Sequence, residues 1–171
     1  MQVTKNKLSI KNSKKSAILN DSYWMQQALD LAVYAESCNE VPVGAVIVYE
    51  NKIIGHGWNQ PISNSDPTAH AEIVALREAG KYLNNYRLTD TVMYVTLEPC
   101  LMCIGAMLTA RIKRLVFGAY DSKFGATKFC FNNFDSNKIN HKIIYEGGIL
   151  AKESAKLLTN FFESRRALLN K

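Results

Sequence analysis

Long hydrophobic runs are absent from this sequence of 171 residues. No stretch approaches the roughly 18 to 20 apolar residues that a membrane-spanning helix needs, which argues against an integral membrane protein. The N-terminus also lacks the apolar segment of a secretory signal peptide. We therefore expect a cytoplasmic protein without a membrane partner.

Acidic residues are absent from the first twenty positions, which hold five lysines. This composition predicts a disordered basic tail over residues 1–20 and a single domain over residues 21–171. A transit peptide is the less favoured alternative, because such peptides prefer arginine to lysine. The net charge of +6 favours a polyanionic partner such as nucleic acid, although the lysine tail supplies most of the excess.

Histidine and cysteine are scarce, with three and four copies. Cys100 and Cys103 form a C-x-x-C pair directly after Pro99, whereas Cys38 and Cys130 form no second pair. Because we expect a reducing compartment, the C-x-x-C pair indicates metal or redox chemistry rather than a disulfide. A structural zinc ribbon would normally offer four protein ligands, often from two such pairs.

Hydrophobic periodicity and turn residues predict the order α-β-β-α-β-α-β-irregular-β-α. The first two strands form a hairpin with a tight turn at Glu50–Asn51. Asp66–Pro67 predicts the start of the second helix, which then runs to Gly80, and residues 121–140 have turn character. Strands that alternate with helices predict an α/β domain with helices on both faces of one sheet.

The positions of the histidine and cysteine residues favour a catalytic zinc site. Cys100 and Cys103 begin a predicted helix at i and i+3, where their sulfurs lean together and the helix dipole stabilises thiolate. His70 can supply a third ligand and leave the fourth position to water, as a catalytic zinc requires. Glu72 can then pass a proton from that water to a leaving group. On a regular helix His70 and Glu72 diverge by about 200°, so they share a site only at a helix end.

The order H-x-E and then P-C-x-x-C is the signature of zinc nucleobase deaminases. The resemblance extends beyond this motif. Over residues 22–167 the chain is similar to the bacterial tRNA-specific adenosine deaminases. The segments that carry it are "VPVGAVIV", "GWNQPISNSDPTAHAEIVALREAG", "NYRLTDTVMYVTLEPCLMCIGAM", "RIKRLVFGAYDSKFGA" and "LLTNFFESRR". The resemblance implies a three-layer α-β-α sandwich around a mixed five-stranded sheet, as in cytidine deaminases. It also implies a homodimer that converts the wobble adenosine of a tRNA anticodon, typically of an arginine tRNA, to inosine.

The same resemblance implies roles for individual residues. His70, Cys100 and Cys103 would hold one zinc ion per chain, and Glu72 would move the proton. The pocket and the anticodon contacts would come from Asn59, the Ala71 N–H, Val41, Val43, Asp121, Lys123, Phe162, Arg165 and Arg166. Helical spacing turns one of Phe161 and Phe162 inward, and we expect Phe162 to face RNA. Tyr120 and Phe124 depart from the family pattern, which often has smaller or basic residues there.

Three other interpretations stay open. A deaminase of free nucleobases or nucleotides (guanine, cytosine or dCMP) would share the fold and the zinc chemistry. A catalytically inactive RNA-binding subunit would keep the zinc, although it would have no need for Glu72. A thioredoxin-like redox protein would use the C-x-x-C pair without a metal.

Overall fold

The computed structural model of the chain describes residues 20–133 and 141–169. The elements in these ranges are the helices α1 Asp21–Ser37, α2 Pro61–Asn64, α3 Ala71–Leu83, α4 Leu101–Ala110, α5 Thr127–Asn133 and α6 Ala151–Leu169, and the strands β1 Gly44–Tyr49, β2 Lys52–Trp58, β3 Val92–Leu97, β4 Arg114–Ala119 and β5 Ile144–Gly147. None of these helices is long and apolar enough to cross a membrane. The predicted tail, residues 1–20, lies outside the described residues except for Asn20, and its boundary with the domain stays a prediction.

The five strands form one mixed sheet in the order β2-β1-β3-β4-β5. Strand β1 is antiparallel to β2 and to β3, whereas β3, β4 and β5 are parallel to one another. The predicted hairpin is confirmed, since Glu50 and Asn51 take φ angles of 47° and 58°, which suit the tight turn between twisted antiparallel strands. The start of β1 and the ends of β2, β3 and β4 therefore lie at the same edge of the sheet.

Helices cover both faces of this sheet. Ala45 and Ile47 of β1 join the larger apolar core, which includes side chains of α3 and α4. Val46 and Val48 point to the opposite face and pack with α1. Helix α6 packs on this second face, where Ser154 lies against β4. The predicted three-layer α-β-α architecture around a mixed five-stranded sheet is confirmed.

Helix α3 lies very close to β2 because glycines face it. A Cβ atom at Gly57 would overlap the carbonyl oxygen of Ala71, and one at Gly55 would overlap the backbone of Ala75. Glycine in a strand permits this approach of another backbone. The first residues of α3 are thereby held beside Asn59, which follows the end of β2.

The start of α3 differs from the prediction. The helix begins at Ala71 rather than at Asp66–Pro67, and the short helix α2 forms upstream instead. Asp66 Oδ1 accepts hydrogen bonds from the N–H and the hydroxyl of Thr68, at 2.8 and 2.7 Å. The Asp66 carboxylate therefore closes a local turn. The same oxygen would be needed to cap a helix, so the turn competes with helix initiation.

The segment 121–140 is more regular than its turn composition predicts. Its described part contains α5, in which the buried Cys130 packs with Ala126 and with Ile104 of α4. A helix of this length depends on tertiary packing, because isolated short helices are marginal in water. The remaining residues of the segment, 134–140, lie outside the described ranges.

A polar cluster joins the start of α1 to the sheet. Both oxygens of Asp21 accept hydrogen bonds from the Arg114 guanidinium at 2.7 Å, and Asp21 Oδ1 also accepts one from the Tyr94 hydroxyl at 2.7 Å. Arg114 donates a further hydrogen bond to Glu146 at 2.6 Å. The hydrogen bond from Arg114 is the main reason that the pKa of Asp21 lies below its ordinary value.

Replacing Asp21 with asparagine should lower the urea midpoint of unfolding at neutral pH. Hydrogen bonds to charged groups contribute roughly 1.5–3 kcal/mol each, and partial exposure reduces the figure here. Because folding lowers the pKa of Asp21, its contribution is fully present above the unfolded value near 3.8 and is lost as the pH falls through the folded value. Urea titrations from neutral to acidic pH should therefore show the difference between wild type and variant closing in acid.

The exposed Asp30 on the same helix provides the control, and Asp30→Asn should leave the urea midpoint nearly unchanged throughout. A stability difference between wild type and Asp21→Asn that persists undiminished at the acid end would contradict this account of the ion pair.

Candidate active site

Helices α3 and α4 both begin at the edge of the sheet described above. His70 is the N-cap of α3 and Cys100 is the N-cap of α4, and both have extended backbones, with ψ of 153° and 171°. Because His70 stands outside the helix, the divergence expected between His70 and Glu72 on a regular helix does not apply. The free N–H groups of the two first turns also give this point a positive potential.

His70, Cys100 and Cys103 are brought together as predicted from the motif. His70 Nδ1 lies 3.7 Å from Cys100 Sγ and 3.6 Å from Cys103 Sγ, and the three donor atoms lie within 4.8 Å of one another. Zinc–nitrogen and zinc–sulfur bonds of about 2.1 and 2.3 Å would separate such donors by roughly 3.5 Å in a tetrahedral site. One imidazole and two thiols at these distances fit zinc, with a fourth position left over. Their role as ligands stays a prediction.

We call His70, Cys100 and Cys103 together the donor group. The protonation state of these side chains also suits the binding of a cation. The hydrogen bond between the two thiols lowers the pKa of Cys100 to about 4 and raises that of Cys103. The hydrogen bond with Cys100 raises the pKa of His70. The three residues alone therefore hold protons that a divalent cation would displace, since a metal binds thiolate and neutral imidazole.

Glu72 lies in the first turn of α3, directly beside this donor group. The residue is only 4% exposed. Burial raises the pKa of the Glu72 carboxyl, because desolvation disfavours the charged form. A carboxyl group with a raised pKa suits a residue that both accepts and returns a proton near neutral pH.

The donor group opens onto a cleft of about 1010 Å³. The buried, inner part of its lining includes Glu72 beside His70 and Cys100, and the exposed part comes from the loop after β4 and from α6. Most of the residues predicted from the sequence line this cleft, namely Val41, Val43, Asn59, His70, Glu72, Cys100, Asp121, Lys123, Phe162 and Arg166. Phe161 is buried whereas 45% of Phe162 is exposed, so the outward position of Phe162 is as expected.

Ala71 does not offer its backbone N–H to the cleft, in contrast to the prediction. The residue is fully buried, and its N–H donates a hydrogen bond to Asn59 Oδ1 at 2.9 Å. This bond orients the Asn59 side chain. Within the described residues, the Asn59 NH2 group has no protein partner, so it remains a donor for a ligand.

Arg165 is not brought to the cleft, which corrects its predicted place beside Arg166. Its guanidinium donates a hydrogen bond to the carbonyl oxygen of Asn39 at 2.9 Å and lies 5.1 Å from the centre of the Phe161 ring. Consecutive residues on a helix point in directions about 100° apart, and here Arg166 lines the cleft while Arg165 contacts Asn39.

Glu98 also lines the cleft, at 8% exposure, and was not predicted from the sequence. Its Oε1 accepts hydrogen bonds from the N–H of Thr127 at 3.2 Å and from the Thr127 hydroxyl, and its Oε2 accepts the N–H of Asp121 at 3.1 Å. The carboxylate thereby joins the loop after β4 to the turn that carries Cys100. The signal in the sequence is an acidic residue placed directly after a buried strand and before Pro99.

A second buried acid, Glu40, was also missed. Only 1% of Glu40 is exposed, and its Oε1 accepts hydrogen bonds from the N–H and the hydroxyl of Ser63 at 2.7 and 2.8 Å. These bonds fasten α2 to the segment that carries Val41 and Val43. The apolar wall of the cleft is therefore held by a buried polar contact.

Comparison with known proteins agrees with this site. The chain matches the zinc-binding region of the cytidine and deoxycytidylate deaminases over residues 19–119, which is more than half of its length. The protein therefore belongs to this class of zinc-binding deaminases.

Within that class, the chain is similar to proteins named tRNA-specific adenosine deaminase. It is 52% identical over 149 residues to the one from Buchnera aphidicola subsp. Schizaphis graminum, covering 85% of this chain and 96% of the relative. It is 54% identical over 147 residues to the one from Haemophilus influenzae, covering 85% of each chain. The chain belongs to the tRNA-specific adenosine deaminase family.

A solved structure agrees with the assignment to this family. It comes from a study of A-to-I editing by tRNA:A34 deaminases at the wobble position of transfer RNA. The two structures superpose with a TM-score of 0.75 at 39% identity, covering 80% of this chain and 99% of the other.

Replacing Cys100 or Cys103 with serine should abolish stoichiometric zinc binding and lower the melting temperature. The hydroxyl is a poorer zinc ligand than thiolate, and a metal that binds the folded state stabilises it. The exposed Cys38 lies outside the donor group, so Cys38→Ser is the control and should bind zinc like wild type. Elemental analysis together with thermal denaturation measures both effects, and full zinc content in both ligand variants would contradict the assignment.

Proposed function

We propose that this protein hydrolytically deaminates the wobble adenosine of a tRNA anticodon, that of an arginine tRNA, to inosine. The observation that carries the proposal is the continuity of the cleft from Glu72 and the donor group to exposed aromatic and basic side chains on its rim. The inner end suits the deamination of a base, and the rim suits the RNA around that base. The names of the similar proteins support the same substrate.

The inner end of the cleft would carry out the chemistry. His70, Cys100 and Cys103 would hold one zinc ion per chain, which when bound would activate a water molecule at neutral pH. Glu72 would accept a proton from the attacking water and transfer it to the adenine. The water oxygen becomes bonded to C6, the bond from C6 to its amino nitrogen breaks, and ammonia leaves. The raised pKa of the buried Glu72 suits both proton transfers.

The cleft walls would position the base. Val41 and Val43 offer apolar surface to its faces, and the Asn59 NH2 group offers a hydrogen bond to the base or its ribose. Because the hydrogen bond from Ala71 holds Asn59 in place, this contact would be formed without reorganising the side chain. Such preorganisation matters because small errors in position greatly reduce reaction rates.

The substrate of the protein is tested by comparing RNA with free bases. The zinc-loaded protein would be incubated with an anticodon stem-loop that carries wobble adenosine, with a matched stem-loop that carries wobble guanosine, and with free adenosine, guanine, cytosine and dCMP. We expect mass spectrometry to find inosine formed from the first RNA alone. Turnover of a free compound without turnover of the stem-loop would favour a free-base or nucleotide deaminase. No turnover at all would favour a catalytically inactive RNA-binding subunit.

Replacing Glu72 with glutamine should remove turnover while zinc binding and folding persist. The amide keeps the size of the carboxyl but cannot accept and return the proton, and general acid–base catalysis contributes roughly 10²- to 10⁴-fold to a rate. Single-turnover deamination of the stem-loop would be measured beside zinc content. A rate near that of wild type would contradict the role of Glu72.

Replacing Arg166 with alanine should weaken stem-loop binding and reduce its dependence on salt. Each lost phosphate contact lowers the slope of log affinity against log salt by about 1. Arg165→Ala is a matched control from the next position, where the side chain contacts Asn39 instead of the cleft. Affinity measured at several salt concentrations should therefore change for Arg166→Ala but not for Arg165→Ala. If neither variant changed the salt slope, Arg166 would make no phosphate contact with the RNA.

The assembly and location of the protein rest on the resemblance to the family alone. We expect the protein to form a homodimer and to be located in the cytoplasm, where tRNA substrates are found. Sedimentation of the purified protein should give the mass of two chains, and a sedimenting monomer that retains full deaminase activity would overturn the homodimer.

A further inference from the structure

Two large aromatic side chains stand exposed on the loop after β4. Tyr120 is 61% exposed and Phe124 is 73% exposed. Both line the same cleft as Glu72 and Cys100. Exposure of two rings at the mouth of a reaction site has no benefit for folding, because each would be more stable if buried.

The backbone of this loop is held by hydrogen bonds. Asp121 Oδ1 accepts the N–H groups of Lys123 and Phe124 at 2.8 and 3.1 Å, and the Asp121 carbonyl accepts the N–H of Gly125 at 3.1 Å. The Asp121 N–H is itself bonded to Glu98. The Asp121 carboxylate, predicted to lie near the anticodon, therefore shapes the loop that presents the two rings.

The Tyr120 ring is supported from the core. It packs edge to face on the buried Phe117, with ring centres 5.0 Å apart and planes at 87°. Gly147 of β5 leaves the space for both rings, since a Cβ atom there would overlap Phe117 and approach Tyr120 to 2.9 Å. A ring that is held in this way loses little conformational entropy when another flat group stacks on it.

The charges around the two rings identify what they contact. Lys123 lies between them in the chain, and Arg166 lines the same cleft from α6. Aromatic rings interspersed with cations match single-stranded nucleic acid, in which bases stack on the rings and phosphates pair with the cations. A purely apolar partner would leave both of these cations unpaired.

We propose that Tyr120 and Phe124 stack on the unpaired nucleotides that flank the target adenosine in the anticodon loop. This inference rests on the proposed function and adds the residues that hold the neighbouring bases while the target base enters the cleft. Every base has a flat face, so stacking of this kind would select unpaired loop nucleotides over a duplex with little preference for their sequence.

The test combines changes in the protein with changes in the RNA. Single-turnover deamination gives the half-saturating protein concentration for an anticodon stem-loop and for the same stem-loop with abasic residues on both sides of the target. Tyr120→Ala and Phe124→Ala should each raise the half-saturating concentration for the intact RNA by roughly 5- to 150-fold, the range measured for one stacked base. For the abasic RNA, the variants should not differ from wild type.

Two controls separate stacking from a structural effect. Tyr120→Phe keeps the ring and should behave like wild type with both RNAs. Tyr82→Ala removes an exposed aromatic that does not line the cleft and should also have no effect. Zinc content should persist in all variants, since none of these residues belongs to the donor group, and the rate at saturating RNA should persist in the two controls.

The possible failures are distinguishable. Equal losses on intact and abasic RNA, or no loss on either, would overturn the stacking proposal while leaving the deaminase function intact. If the wild-type protein forms no inosine in the stem-loop, the proposed function itself fails, and the stacking proposal fails with it.

Discussion

The close contact between α3 and β2 is the constraint on which the rest of the site depends. Gly57 lets the carbonyl oxygen of Ala71 approach the strand, so the first turn of the helix meets the end of β2. The hydrogen bond from the Ala71 N–H then fixes Asn59, and His70 remains extended as the N-cap. One backbone contact thereby places a metal-ligand candidate, a proton-transfer candidate and a candidate base-positioning side chain around the same point.

Three buried carboxyl groups near the cleft show how surroundings decide the role of one functional group. Glu40 and Glu98 accept hydrogen bonds from backbone N–H groups and hydroxyls, and each fastens one wall of the cleft. Glu72 is buried beside the donor group, where desolvation raises its pKa. The first two carboxyls are suited to holding structure, because each accepts at least two hydrogen bonds from the protein. The third is suited to moving a proton.

The sequence predicted much of the fold and the centre of the site, because those signals are local. Strand alternation and the turn at Glu50–Asn51 predicted the hairpin, which the positive φ angles confirm. The motifs around His70 and Cys100 span a few residues each, so the members of the donor group could be predicted from the sequence alone. Helical spacing likewise predicted that one of Phe161 and Phe162 faces inward, and Phe161 is the buried one.

The contacts that the sequence left open join residues far apart in the chain. Arg165 bonds to a residue 126 positions away, and Glu98 bonds to Thr127 across 29 positions. The start of α3 could not be predicted from the sequence either. Asp66–Pro67 is a good local signal for a helix start, but Asp66 instead closes a turn, and the helix begins where it packs on Gly57. The sequence by itself predicted which groups would carry the chemistry and most of the local elements that form. Only the tertiary structure decided where each helix begins and which polar side chains face the cleft, because those outcomes depend on burial and hydrogen bonds between distant segments.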